Sequence, residues 1–558
     1  PNSSTPSIPD QVSELFESNP DLLKEPSLPF TPSPSPSDGQ TSEVPTKLSK
    51  TLEDFKSNFN SRVESVKNNS SFEGISTMQA LGMESKRPWV QTGTGLDPQL
   101  LNESETLAAQ RRMAVVEEFK FAWKGYKEYS WGYDDLKPLG RKGGVWFKLG
   151  TTIIDAMSTI VIMQLGEEYQ EGLDWLKNNF NIHRSDYQSF FEFHIRIFGG
   201  LVSAYNLTNE PTFKELSEIV AKRIPMAFSE SLNGMPYSDY SFSAKSGRLY
   251  PWRSNQVYLA EVGSFGVEFR EYSHMVGDDR LKTISDGIYD KLLEMSENKI
   301  APTDLKPKSM TFSSSLYTFG GRADSFYEYL IKQYVQTRHT EPIWLERFDN
   351  YMLDGIDKLI RFHSPTGLFV SGLLARGSYS YEMDELGCFA PGMFILAAHH
   401  TDNNELKLKY EVLAKELMYT CYMMWQSTPT KLAPETTIFD TTITSKSKNY
   451  LLRPETLESL YYLHYFTRDP IYREWGWDIF EAIKRNCKND IGYAAFANVD
   501  SARDGHLDEM PSYFFSETLK YAYLLFSPVD TLDLNDWVFN TEGHPLKAFT
   551  WDTAYARQ

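Results

Sequence analysis

From about residue 105 to the C-terminus, apolar residues return every three or four positions, the period of helices that bury one face. This spacing predicts helices over 105–130, 150–163, 187–205, 211–224, 257–276, 280–295, 322–338, 342–361, 404–425, 455–467, 469–485 and 514–526, with about fourteen in all at ordinary helix length. Strand-like runs are few and short, such as Gly367-Leu-Phe-Val370. No composition break follows the first hundred residues, so the helices belong to one large domain. An α/α toroid, with an inner ring of helices alternating with an outer one, buries such a series. A helical-repeat solenoid would carry a regular sequence period, and no consistent one is present.

Polar positions interrupt this pattern in a repeated way. In Arg453-Pro454-Glu455-Thr456-Leu457-Glu458-Ser459, Pro454 suits the first helical position, and the helix then carries Glu455 and Glu458 three apart on one face. Taken alone, the stretch reads as a capping cluster facing solvent. The same arrangement recurs, however, in Phe191-Glu192 through Tyr205, where Glu192 and Arg196 lie four apart beside the apolar stripe 191, 195, 198, 202 and 205. It recurs again in Gly320-Gly321-Arg322-Ala323-Asp324 with Glu328, and in Tyr513 to Phe526 with Glu517. Acids pointing into a core without partners are costly. If these helices line one barrel and start at the same end, their carboxylates converge in one acidic pocket. The mid-helix pair Gly199-Gly200 predicts close helix packing.

Residues 1–50 hold ten Pro and eleven Ser without an apolar period, and are expected to be a disordered linker. Residues 51–104 are expected to be a partly ordered extension, with a short helix near 50–66, and residues 105–558 the barrel domain. The run Thr151 to Met163 is too short to span a bilayer and contains Asp155. With no initiator Met or signal peptide, the pattern is that of a stalk before a catalytic domain, its membrane anchor absent from this sequence.

A formal charge of −19 argues against nucleic acid or an anionic membrane surface as partner and favours carbohydrate or a cation. Aromatics make up 14% of the chain, and most are assigned to core packing. Cys388, Cys421 and Cys487 are an odd, sparse set that reads by count as buried free thiols. Together with ten histidines lacking ligand spacing, they argue against a structural zinc site. Sequons at Asn2, Asn68, Asn69, Asn102 and Asn206 are close to the number chance supplies, and carry little weight.

In this order the motifs resemble glycoside hydrolase family 47, the class I α-1,2-mannosidases, with the chain as a divergent, fungal-type member. The resemblance rests on Tyr129-Ser-Trp-Gly-Tyr-Asp-Asp-Leu-Lys-Pro138, Phe191-Glu192 to Tyr205, Ala260-Glu261-Val-Gly-Ser264 with Val267-Glu268-Phe269, Arg322-Ala-Asp324-Ser-Phe-Tyr-Glu328, Leu452-Arg-Pro-Glu-Thr-Leu-Glu-Ser459, Glu517-Thr-Leu-Lys-Tyr521 and Phe539-Asn-Thr541-Glu542-Gly-His-Pro545. It implies an (α/α)7 barrel and an inverting, calcium-dependent enzyme that trims terminal mannose from high-mannose N-glycans of glycoproteins in the endoplasmic reticulum or Golgi lumen. It further implies Glu455 as general base, Glu192 and Asp324 as the two candidates for general acid, and Thr541 as calcium ligand. Arg196, Glu261, Arg322, Glu328, Glu385, Glu458, Glu517 and Glu542 fall at positions that surround sugar, ion or water, and Cys388 and Cys421 at a disulfide pair.

The chain departs from the family pattern at Glu385, where histidine is usual, at Ser158 and Ala323, and in the loop Ser243 to Arg253. These departures set against the enzyme a second reading, a mannose-binding lectin or quality-control relative with weak catalysis. A ligand-free helical scaffold ranks last, because it would bury unpaired acids. The sequence leaves the oligomeric state and the mannose branch open.

Overall fold

A computed structural model describes residues 50–66, 87, 89–90, 96–184 and 186–551. The Pro/Ser-rich segment before residue 50 and most of 67–95 lie outside the described residues. Helix α1 (Lys50–Val66) packs on α2 (Pro98–Ser130) through Phe59 and Val63, which join the main core, and Lys56 reaches Glu474 at 2.5 Å.

Fourteen further helical elements, α2 to α15, alternate between two rings. The outer ring is α2, α4 (Gly166–Asn179), α6 (Pro211–Ala221), α8 (Arg280–Ser296), α10 (Ile343–Leu359), α12 (Asn404–Gln426) and α14 (Pro470–Cys487). The inner ring is α3 (Thr151–Ile162), α5 (Phe190–Glu192, Phe193–Phe198 and Gly199–Thr208), α7 (Leu259–Gly263 and Gly266–Val276), α9 (Asp324–Gln336), α11 (Ala390–His400), α13 (Glu455–Thr467) and α15 (Phe514–Thr518 and Leu519–Leu525). Each inner helix packs on the next, and α15 returns to α3, closing an (α/α)7 barrel.

The sequence pattern follows the ring. Outer helix α10 buries Trp344, Phe348, Tyr351, Met352, Gly355, Ile356 and Leu359, a stripe at helical spacing, whereas inner α3 is buried along its whole length. Inner α11, buried from Ala390 through Ala398, has no periodicity to detect, which is why the spacing misses it. The spacing also misses α4, whose buried stripe is only Tyr169, Gly172, Leu173 and Leu176.

Three boundaries need correction. Helix α2 begins at Pro98 rather than 105, because Asp97 accepts a hydrogen bond from the Gln99 amide and caps it. Pro454 is the cap of α13 rather than its first residue. The predicted helix 257–276 is broken after Gly263. Short strands are also more numerous than predicted, forming eight antiparallel sheets of two or three strands among the described residues. Such strands are too short to show an alternating pattern.

One hairpin fills the bore. Trp537–Phe539 pairs with Pro545–Lys547, and the pair packs on inner helices α5, α7 and α9. Phe539 is fully buried against Tyr461, Tyr462 and Tyr521. The Gly199-Gly200 pair permits this insertion: a Cβ on Gly199 would lie 2.6 Å from Asn540 Nδ2, and one on Gly200 would lie 2.9 Å from Ile154.

Candidate active site

The inner helices open on a pocket of about 360 Å³, and five of them bring an acid in their first turn: Glu192, Glu261, Asp324, Glu455 and Glu517. Glu328 and Glu458 also line it, four and three residues after the acid that begins their helix. Thr541 and Glu542 rise into the floor from the tip of the plugging hairpin. Arg196 and Arg322 also line the pocket. Glu385 is buried behind the wall. The predicted acids therefore converge, because each inner helix enters the barrel from the same end and helix N-termini favour negative charge.

Arg196 binds one side of the pocket together. Its Nε donates to Glu192 at 2.7 Å, and its Nη1 donates to Glu542 at 2.5 Å, Ser512 at 3.0 Å and Asp155 at 3.3 Å. Its guanidinium lies between the rings of Trp146 and Tyr513. Asp155 is fully buried and also meets His544 at 3.1 Å. On another wall, Arg253 donates to Glu261 at 2.9 Å, and the Tyr258 amide donates to the second Glu261 oxygen at 3.0 Å. Arg322 is held with φ of 80° and extends over Tyr258. Next to Arg253 stands Trp252, 74% exposed.

The carboxyls differ in environment. Asp324 accepts the Ser325 amide at 2.8 Å, and among the described residues it has no ion-pair partner. Burial, reinforced by Asp384, Glu328 and Glu455, pushes it up to about 7. Glu455 is raised by burial, opposed by Glu385 and Arg453, whose guanidinium is engaged with Glu435 at 2.9 Å. Burial carries Glu458 to about 8 despite Lys332. Glu517 is held well above the usual carboxylate range by burial and then by Glu542, Glu455 and Glu458. Lys332 is 2% exposed and is shared between Glu328 and Glu458.

The floor is braced by Asn540. Its Oδ1 accepts the amides of Glu542 at 3.0 Å and His544 at 2.8 Å, and its Nδ2 donates to Glu268 at 2.8 Å. The Thr541 amide donates to Tyr329, whose hydroxyl donates to Glu268. Among the described residues no three His, Cys, Asp or Glu side chains form a metal cage. What surrounds Thr541 is a set of carboxyl oxygens, the kind of donor that suits a hard cation.

Sequence reasoning placed Glu192, Arg196, Glu261, Arg322, Asp324, Glu328, Glu385, Glu455, Glu458, Glu517, Thr541 and Glu542 at this pocket, and all line it except Glu385, whose reading as a sugar contact is corrected because the turn before α11 buries it behind the wall. It gave no site role to Asp155, Lys332, Glu435, Asn540 or His544. For Asp155 a signal exists, a lone charge inside an otherwise apolar helix, and for Lys332 its i,i+4 spacing from Glu328. Cys388 and Cys421 are bridged, with a Cα separation of 5.8 Å, and Cys487 is a buried free thiol, so the reading of all three as free thiols is corrected.

Comparison with known proteins agrees with this geometry. Residues 118–548 match the family described as Glycosyl hydrolase family 47. The chain is 35% identical over 491 residues to the human endoplasmic reticulum mannosyl-oligosaccharide 1,2-alpha-mannosidase, covering 85% of this chain and 69% of that protein. It is 35% identical over 486 residues to the Drosophila melanogaster mannosyl-oligosaccharide alpha-1,2-mannosidase IA, covering 85% and 72%. The solved alpha-1,2-mannosidase from Trichoderma reesei superposes with a TM-score of 0.72 at 26% identity, over 79% of this chain and 99% of that one.

Proposed function

The chain belongs to glycosyl hydrolase family 47, and from that premise we propose how its pocket works as a mannosyl-oligosaccharide 1,2-α-mannosidase. The observation that carries the reading is the convergence of Glu192, Asp324 and Glu455 in one pocket above Thr541. The reaction is inverting: Glu455 takes a proton from water, which attacks the anomeric carbon, while an acid on the opposite side protonates the departing glycosidic oxygen. Between the two acid candidates, Glu192 is ion-paired to Arg196, whereas Asp324, pushed up to about 7, carries its proton on a substantial fraction of molecules near neutral pH. Asp324 is therefore assigned as the acid, directly or through one water, and Glu192 as the group that orients it.

The donor set fits calcium: Thr541 would hold it through hydroxyl and carbonyl oxygens, and Glu328, Glu458, Glu517 and Glu542, which line the same pocket, would balance its charge. When bound, calcium supplies a contact for sugar hydroxyls and offsets the charge of these acids. Arg322, Glu261 and the exposed Trp252 mark the side on which the rest of the oligosaccharide leaves the pocket. The substrate is a high-mannose N-glycan on a glycoprotein. The compartment is the secretory lumen, consistent with the buried Cys388–Cys421 bridge.

The test is incubation with a labelled high-mannose N-glycan, with calcium or with excess chelator, reading mannose and its anomer by NMR. Calcium-dependent appearance of β-mannose is the expected result. Retention of glycan without release across a wide pH range overturns the assignment in favour of a lectin.

A further inference from the structure

Behind the pocket wall, two acids face each other with no cation between them. Glu385 begins the turn Glu385–Phe389 just before α11 and is 1% exposed. Its Oε1 accepts from the Thr456 hydroxyl at 2.7 Å and the Thr456 amide at 3.3 Å. The Thr456 hydroxyl itself accepts from Trp425 Nε1 at 3.0 Å, so its one proton is committed to Glu385. The turn is fixed further, because the Glu385 amide donates to the Glu435 carbonyl at 3.1 Å and Cys388 is bridged to α12. Glu385 is thus a rigid group.

The second oxygen of Glu385 and the Oε2 of Glu455 are both buried without a donor, and the two carboxyls lie within hydrogen-bond reach of each other. Two buried acceptors left opposite each other are costly, and a single proton between them satisfies both. The remaining surroundings do not favour a second charge. The residue before the strand 436–439 is Glu435, whose carboxylate occupies Arg453 at 2.9 Å; α9 contributes Asp324, α13 Glu458 and α15 Glu517; Asp384 precedes Glu385; and Tyr450 and Tyr513 are neutral phenols.

We propose that Glu385 is a positioning residue that stays protonated and donates its proton in a hydrogen bond to Glu455, keeping the base ionised and aimed at the water. Burial and the Glu455 charge, which hold the Glu385 carboxyl well above the usual range, agree with this. The pair titrates as a unit, with one proton shared over the working pH range. The role rests on Glu455 being the base, as proposed above.

The experiment compares wild type with Glu385→Gln and Glu385→Ala in glycan hydrolysis over pH, together with infrared spectra of all three and their melting temperatures. Gln keeps a neutral donor toward Glu455 and an acceptor toward Thr456. The expected result is kcat within about fivefold of wild type for E385Q, and a fall of about 100-fold for E385A with KM nearly unchanged. The acid limb of E385A moves to higher pH, since Glu455 loses a bond to its charged form. A protonated-carboxyl band present in wild type at neutral pH disappears in E385Q. The proposal is overturned if E385Q is as impaired as E385A, which would require an ionised Glu385, or if that band is absent from the difference spectrum. Wild type that releases no mannose, with the band still present, would remove the assignment of Glu455 as base and leave the shared proton standing.

Discussion

Arg196 on inner helix α5 donates to Glu542 on the C-terminal hairpin at 2.5 Å, across 346 positions of sequence. This bond ties the pocket wall to the pocket floor, and the same guanidinium holds Glu192 and Asp155. Arg196→Met leaves three carboxylates without their cation in a buried place. The expected loss is about 3–5 kcal/mol in denaturant unfolding, with a fall in kcat larger than any rise in KM. Unfolding within 1 kcal/mol of wild type would remove Arg196 as the brace.

As the proposed acid, Asp324 is expected to set the alkaline side of the pH profile. Raised to about 7, it carries the proton below that value and loses it above, so kcat/KM declines as pH rises through about 7. Asp324→Asn removes that limb and lowers kcat by about 100-fold or more. Survival of the limb in the variant assigns it to another group.

Bound at the pocket floor as proposed, calcium is expected to stabilise the native state. At free calcium about 100-fold above its dissociation constant the gain is about 2.7 kcal/mol, read as a higher melting temperature. Thr541→Val removes the hydroxyl from the floor, and the calcium-dependent rise shrinks while the melting temperature in chelator stays close to wild type.

Glu271 produces a separate pH effect on stability. It is 2% exposed, with one oxygen accepting from Asn206 at 2.8 Å and the other without a donor, and burial carries it to about 8. The unfolded chain ionises this group near its ordinary value while the native state keeps it protonated. Stability is therefore complete at low pH and is lost progressively until pH reaches about 8, by at most about 1.4 kcal/mol per unit. Glu271→Gln keeps the neutral form at every pH, so its advantage over wild type in melting temperature grows from pH 5 to pH 8.

Trp252 tests the direction of the bound glycan. Its indole is exposed beside Arg253 and near Glu261. Trp252→Ala raises KM for a branched oligosaccharide about 2- to 10-fold, the size of one aromatic contact, and leaves hydrolysis of a disaccharide unchanged. Equal effects on both substrates move the contact into the pocket itself.

The sequence by itself determined the ring of helices, because one buried face per outer helix imposes a period that can be counted, as in Trp344 to Leu359 of α10. It also determined which acids meet: Glu192, Asp324, Glu455 and Glu517 all stand at the starts of apolar helices, where an unpaired charge requires a shared polar cavity. Uniformly apolar α11 and the two- and three-stranded sheets were not legible, since neither carries a period. The tertiary structure decided which acid faces which partner. Arg196 reaches Glu542, Asn540 reaches Glu268, and Glu385 reaches Glu455 only after the barrel closes and the hairpin enters its bore. Charge states in the pocket depend on those distances and on burial, and neither is encoded in local spacing.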